Sequence, residues 1–310
     1  MNRMQDVAAQ TMAIDSVTVS VVKALRERDI EPILLKGPSF ASWLYGDGIP
    51  RPYNDTDLLI EPGVADSADA VLTGLGYEPL PNPPGPRPAA TTWLKRGAAG
   101  SVDLHTGIWL FYETADAWRR LQAHIQPLLL DDLRVTVLDD VAKTVHVVTH
   151  ALQHEFKEAG PNCDLELALR LVPEDTWRAA SAFAAEVGAY DAFAWTLSTW
   201  PSAQAMAQRV GLERPASPSA RIRLLAAGVS GTGAGTFHQL GELSRWRDRV
   251  SFVMGKVFPP SSFVESLGPL TGSRSSRPAV NYARYWRRIL RKAPRALRVW
   301  YTDFRRDRGG

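Results

Sequence analysis

The chain has 310 residues, 45% of them hydrophobic and 22% charged, with a formal net charge of +3. That composition excludes an intrinsically disordered chain and provides ample apolar material for a core in one large domain or two ordinary ones. Its single cysteine, Cys163, excludes an internal disulfide, and no run of 18 apolar residues offers a membrane span.

The charge is uneven. Residues 281–310 carry ten Lys/Arg against two Asp, a net +8, which leaves the first 280 residues near −5. The pI of about 9.0 therefore belongs to the tail, and the body is not that of a nucleic-acid binder. The opening MNRMQDVAAQTMAID carries Gln and Asp too early for a signal peptide. With the single thiol, this reads as a cytoplasmic protein.

In chain order, residues 5–30 show helical spacing. EPILLKG is a short apolar run between Pro32 and Gly37 that suits a buried strand. PSFASWLYG predicts a short helix with Pro38 near its first position, where a missing N–H does no harm. GDGIPRPYN is a loop and DTDLLIE a second strand. VADSADAVLTGLGYE is an amphipathic helix ending at Gly74 or Gly76. PLPNPPGPRPAA is a proline-rich surface loop with the makings of a lid. TTWLKRG and SVDLHTGIW predict a hairpin around Gly97 to Gly100, and DLRVTVLD another strand.

After Asp139 the pattern turns helical. DDVAKTVHVVTHALQHEFKEAG reads as one long helix capped by Asp139 or Asp140, followed by helices in CDLELALRLV, EDTWRAASAFAAEVG and AYDAFAWTLSTW. GVSGTGAGT (228–236) lacks the Lys-Ser/Thr of a phosphate loop and reads as a linker. The expected fold class is α+β: a small mixed sheet flanked by helices over 1–138, then a mainly helical domain over 139–310.

The chemistry concentrates at Asp55 and Asp57. Residues i and i+2 of a strand project to one side, so the two carboxylates stand together at the head of an apolar strand. Their repulsion and desolvation call for a cation, and Mg²⁺ prefers such oxygen ligands. Asp103, in the strand-like SVDLHTG, would complete a three-carboxylate cluster if its strand lies beside 55–60. The competing reading is that a D-x-D pair decorates a turn.

LLKG, RPYNDTDLLI and VDLH together resemble the nucleotidyltransferase superfamily of the DNA polymerase β type, and more narrowly a bacterial family of uncharacterised nucleotidyltransferases. HVVTHALQH, DLELAL and VFPPSSFVESL with YARYWRRI extend the resemblance over most of the chain. The resemblance implies two Mg²⁺ ions held by Asp55, Asp57 and Asp103, with Asp103 taking the acceptor's proton. It implies a nucleoside triphosphate substrate whose phosphates meet Gly37 and Ser39, although Pro38 interrupts the usual Gly-Ser or Gly-Gly turn. The implied activity is transfer of a nucleoside monophosphate to an acceptor, in polysaccharide or peptide natural-product biosynthesis. A non-catalytic scaffold with the same fold is the alternative, and antibiotic modification or protein AMPylation would use the same chemistry.

Lys36 and Arg51 are further nucleotide-binding candidates. For Lys36 the competing reading is a solvated strand end, and for Arg51 an ion pair with Asp55 or Asp57. His105, two past Asp103, faces the same way and either orients a ligand or is a satisfied, partly buried histidine. His146, His150 and His154 line one helical face. They span too far for a tight zinc tetrahedron and read as a polar stripe between the two halves. In that reading His150, with Asp164, borders the acceptor pocket.

In the tail, Tyr282, Trp286, Ile289, Leu290, Leu297, Trp300 and Tyr301 form a rough apolar stripe among arginines, broken at Pro294. Residues 281–308 therefore either dock on the helical domain or touch an anionic membrane. Nucleic acid is the least favoured partner.

Overall fold

The computed structural model describes residues 3–46, 50–81, 87–111, 115–216, 218–226, 240, 245–266 and 278–308. Residues 228–236 lie outside them, and the proline-rich stretch is described only at its ends. Helix α1 (Arg3–Arg26) leads into β1 (Ile33–Leu34), α2 (Pro38–Leu44), β2 (Asp55–Leu59), α3 (Ala65–Gly74) and β3 (Glu78–Pro79). The hairpin β4 (Ala90–Leu94) and β5 (Ser101–His105) follows, then α4 (Ala115–Gln122) and the hairpin β6 (Ile125–Leu130) and β7 (Leu133–Leu138). Five helices come next: α5 (Asp140–Gln153), α6 (Ala159–Leu171), α7 (Glu174–Glu186), α8 (Tyr190–Thr199) and α9 (Gln204–Arg209). Beyond them stand α10 (Ala220–Ala226), α11 (Trp246–Val257), α12 (Ser261–Ser266) and α13 (Pro278–Arg308).

The seven strands form one mixed sheet in the order β3-β4-β5-β2-β1-β7-β6. β2 runs parallel to β5 and β1 parallel to β7, while the other pairs are antiparallel. Two edges close the sheet, and each carries a proline, Pro79 in β3 and Pro127 in β6. A proline cannot donate to a ladder and is tolerated only where no further strand pairs. Pro127 is also the reason IQPLLL escapes recognition as a strand from sequence.

β1 is apolar on both faces because both are covered, and β2 and β5 are apolar on the side of α1 and α3. Leu34, Leu58, Ile60, Val102 and Leu104 join α1 and α3 in one cluster, with Val22, Leu25, Ala68 and Leu72. Ile33, Leu35, Leu59 and Leu138 face the other way. They share a second cluster with Phe40 of α2 and with α5 to α9, including Val145, Val148, Trp177 and Phe193. The strict alternation along Ile33, Leu34 and Leu35 follows from the two-residue period of a strand. Residues 1–79 and 89–217 make one compact unit, and residues 80–88 and 218–310 a second.

The long helix expected over 139–160 is two helices. α5 ends at Gln153, and Glu155 and Phe156 adopt φ of 54° and 57° before α6 begins at Ala159. Phe156 stacks on Trp200 with ring centroids 4.9 Å apart, and its carbonyl accepts from Asn162 Nδ2 at 2.8 Å. Tertiary packing thus holds a left-handed turn that local propensity does not announce. Asp139 caps α5 as expected, its Oδ1 accepting from the Ala142 amide at 2.9 Å.

In the second unit, α13 continues through Pro294. Tyr282 and Trp286 donate to the carbonyls of Pro259 and Val257 at 2.5 and 2.7 Å, and Tyr285 donates to Lys256. Carbonyls left without partners where α11 ends are thereby satisfied. The buried stripe of α13 therefore runs through Asn281 and Tyr285, whereas Trp286, Ile289 and Leu290 are exposed. Among the described residues no helix is long and apolar enough to cross a membrane.

Gly100 sets the approach of β5 to β2. It has φ +71°, and a Cβ there would lie 2.2 Å from the Asn54 carbonyl oxygen and 2.4 Å from Ile14 Cδ1. Gly97 has φ +80° with open space around it. We expect Gly100→Ala to lose about 2–4 kcal/mol in urea unfolding, and Gly97→Ala about 1 kcal/mol from backbone strain alone. Equal losses would show that close packing at Gly100 contributes nothing.

Candidate active site

β2 presents Asp55, Asp57 and Leu59 on one face and Thr56 and Leu58 on the other. The Thr56 and Thr18 hydroxyls hydrogen-bond at 2.8 Å on the buried far side, which ties β2 to α1. Asn54, just before β2, accepts from Gln10 of α1 at 2.7 Å. In the parallel ladder Asp55 pairs with Ser101, Asp57 with Asp103 and Leu59 with His105. Directly paired residues point to the same side, so Asp55, Asp57, Asp103 and His105 share one face.

Asp57 is the centre. Its Oδ1 lies 2.8 Å from Lys36 Nζ and 3.0 Å from His105 Nε2, and its side chain is only 2% exposed. One ligand atom from each of Asp57, Asp103 and His105 fits within a mutual 4.8 Å. This is the sole such grouping among the described residues, so the three histidines of α5 do not form one. One buried oxygen of Asp103, Oδ1, has no hydrogen-bond partner among them.

The electrostatics reflect crowding. Burial opposes ionisation of Asp57, but the Lys36 ammonium and the His105 hydrogen bond outweigh it and hold this carboxyl well below its usual range. Burial, with the Asp57 charge second, pushes Asp55 up to about 6. Lys36 is not the solvated strand end that sequence alone allowed. It is largely buried, and despite that burial the surrounding carboxylates raise its pKa.

Gly37 caps α2 with φ 56° and ψ −118°, a conformation open to glycine. A Cβ there would meet the Tyr53 ring at an ordinary 3.5 Å, so the backbone and not space demands the glycine. Pro38 occupies the first turn. Ser39 is fully buried, its amide donates to the Lys36 carbonyl at 3.1 Å, and its Oγ has no partner among the described residues.

Arg51 does not pair with Asp55 or Asp57. Its Nε and Nη2 donate to both oxygens of Asp164 at 2.9 and 2.7 Å, and Tyr45 adds a hydroxyl to Asp164 Oδ1 at 2.7 Å. Asp164 lies fully buried on α6, beneath Arg51 and Tyr45. Arg51 is thereby bound to a helix more than a hundred residues away, a pairing no local pattern reveals. Tyr45, next to last in PSFASWLYG, bears no local mark of its bond to Asp164.

His146 and His150 lie buried along α5, their Nδ1 atoms without partners among the described residues. His146 meets the Phe40 ring edge-on at 5.5 Å. Burial, then the Lys36 charge, pushes His146 down to about 3 and His150 well below its usual value, so both rings are neutral. His154 reaches Glu158 at 2.9 Å instead.

A family described as uncharacterised nucleotidyltransferase matches residues 1–200. The chain belongs to that family. It is accordingly an enzyme of the nucleotidyltransferase class, with a nucleoside triphosphate and an acceptor as its substrates. Among solved structures it is similar to the antibiotic-resistance factor ANT(2'')-Ia, at 15% identity over 58% of this chain and 93% of that one, with a TM-score of 0.42. It is also similar to an antigenic nucleotidyltransferase-like protein from Paracoccidioides brasiliensis, at 13% identity over 66% and 94% of the chains, TM-score 0.37. No curated protein matches the chain.

A pH signature of this nucleotidyltransferase follows from Asp55. A carboxyl with a raised folded pKa holds its proton more tightly in the folded chain, so its contribution is full below 3.8 and is lost as pH rises to about 6. Without divalent metal, Asp55→Asn should be more stable than wild type by about 1–3 kcal/mol at pH 8, and equal to it below pH 3.8. Urea titrations across pH check this, and a wild-type advantage at pH 8 in metal-free buffer would contradict it.

Proposed function

We propose that the protein moves a nucleoside monophosphate from a nucleoside triphosphate to an acceptor hydroxyl or phosphate, using divalent metal held by Asp55, Asp57 and Asp103. The supporting observation is the parallel register that pairs Asp57 with Asp103, with Asp55 on the same face. What supports a metal there is crowding: ligand atoms of Asp57 and Asp103 lie within 4.8 Å of each other, Asp57 is buried, Asp55 shares their face, and a buried Asp103 oxygen is an orphan. Hard oxygen donors of this kind suit Mg²⁺ and Mn²⁺ alike, and two divalent ions would serve the proposed reaction.

The bound metal would polarise the α-phosphate and stabilise the leaving pyrophosphate. The chain's own groups do the rest. Asp103 accepts the proton of the acceptor hydroxyl as its oxygen bonds to the α-phosphorus and the bond to the pyrophosphate oxygen breaks. Lys36 turns from Asp57 to the phosphates, and Gly37 and Ser39 shape the turn that carries it. Arg51, locked to Asp164 and Tyr45, anchors the segment entering β2, and any role towards the triphosphate falls to the part of its guanidinium that Asp164 leaves open. His105 and His150 flank the acceptor side. An acceptor from polysaccharide or peptide natural-product biosynthesis is the class the family resemblance favours.

The test is pyrophosphate release from labelled triphosphates in a host-cell extract. Asp57→Asn and Asp103→Asn should each slow it about 10²-fold or more, and chelation should stop it. Undiminished turnover in either variant removes the proposal.

The second unit supports a membrane partner. Trp246, Val250, Met254 and Phe258 are exposed at helical spacing on α11 and just past its end, Trp286 and Leu290 are exposed on α13, and residues 281–310 carry net +8. Apolar residues beside clustered basic charge match an anionic lipid surface. The chain should sediment with phosphatidylserine vesicles but not with phosphatidylcholine ones, and Arg287→Glu/Arg291→Glu or high salt should release it. Equal binding to both lipids would refute a charge-driven contact.

A further inference from the structure

We infer that His105 is itself a metal ligand, and that its imidazole makes this a mixed nitrogen–oxygen site selective for Mn²⁺ over Mg²⁺. The inference rests on the metal-dependent reading above and names the ion that reading leaves open.

Position comes first. His105 closes β5 two residues beyond Asp103, on the face that carries the carboxylates, and its side chain is 16% exposed, so its ring edge is reachable. Distance comes second. Two donor atoms at right angles around an ion, each bonded at about 2.1 Å, stand about 3.0 Å apart. His105 Nε2 and Asp57 Oδ1 are 3.0 Å apart. Nε2 now hydrogen-bonds that oxygen; an ion touching both atoms takes the place of this bond, with the imidazole proton carried on Nδ1.

The distribution of polar contacts is the third observation. A single oxygen, Asp57 Oδ1, carries both Lys36 Nζ and His105 Nε2, while a buried oxygen of Asp103 has no partner among the described residues. One ion touching Asp57, Asp103 and His105 evens this out, because their ligand atoms already lie within 4.8 Å of one another. Lys36 is then free for the phosphates. A histidine serving only to orient Asp57 leaves the Asp103 oxygen unsatisfied.

Ligand chemistry then selects the ion. Mg²⁺ favours oxygen donors and gives up water reluctantly. Imidazole favours later transition metals, whereas carboxylates favour Mg²⁺, Ca²⁺ and Mn²⁺. Mn²⁺ accepts both donor types.

The test uses the full chain with Mn²⁺ alone. Electron spin-echo envelope modulation should show imidazole nitrogen coupled to the bound Mn²⁺. In His105→Gln, checked for folding by circular dichroism, that modulation should vanish. Calorimetry should show the variant losing about 10-fold in Mn²⁺ affinity, with its preference for Mn²⁺ over Mg²⁺ reduced. Bound Mn²⁺ without nitrogen modulation in the wild type, or an unchanged ion preference in the variant, overturns the inference and leaves the carboxylate metal site standing. If the wild type binds neither ion, with or without a nucleoside triphosphate, the metal-dependent reading falls together with the inference.

Discussion

The parallel pairing of β2 with β5 forces Asp57 against Asp103, and the surrounding structure is organised to tolerate that placement. Two unit charges 4 Å apart repel by about 4 kcal/mol at an effective dielectric of 20, a large share of the 5–15 kcal/mol that holds a domain together. Lys36, carried in at the end of β1, supplies the balancing charge at 2.8 Å. The same cluster drives Asp57 and Asp55 in opposite directions: one carboxyl is held ionised by its cationic neighbours, and the other is pushed towards its neutral form. Such divergence between adjacent acids is typical of sites where charge is meant to be moved or shared.

That arrangement is held by contacts far from it in sequence. Thr18 and Thr56 bind β2 from the far side of the sheet, and Gly100 lets the entry to β5 come against Asn54. On the near side, Arg51, Asp164 and Tyr45 form a buried three-residue strut between the segment entering β2, the end of α2 and α6. Removing one partner would leave a buried charge unpaired, which costs several kcal/mol, so the strut behaves as a unit. The helices α5 to α9 are part of the site's foundation, since they share a core with Leu59 and Phe40.

A neutral, buried histidine pair alongside that core is a different use of the same residue type. His146 and His150 are stripped of water and lie within the field of Lys36, so neither carries charge. His105, on the strand and partly exposed, touches the carboxylate cluster directly. Spacing along one helix groups the first pair, and the sheet register singles out the second.

Local chemistry dictates much of this chain. The glycine and proline around residues 37–38, the alternation through DTDLLI, and the apolar periodicities of α5 to α8 follow from backbone sterics and side-chain burial, which act over a few residues. The i, i+2 geometry likewise placed Asp55 and Asp57 on one face, and the family motifs nominated Asp103. What the sequence could not determine was pairing: that β5 lies beside β2 in the register joining 57 to 103, that Lys36 meets Asp57, and that Arg51 seeks Asp164. The turn at Glu155 and Phe156, held by Trp200, is hidden for the same reason. Each depends on groups distant along the chain, whose desolvation and charge are balanced only once the sheet and its helices have assembled.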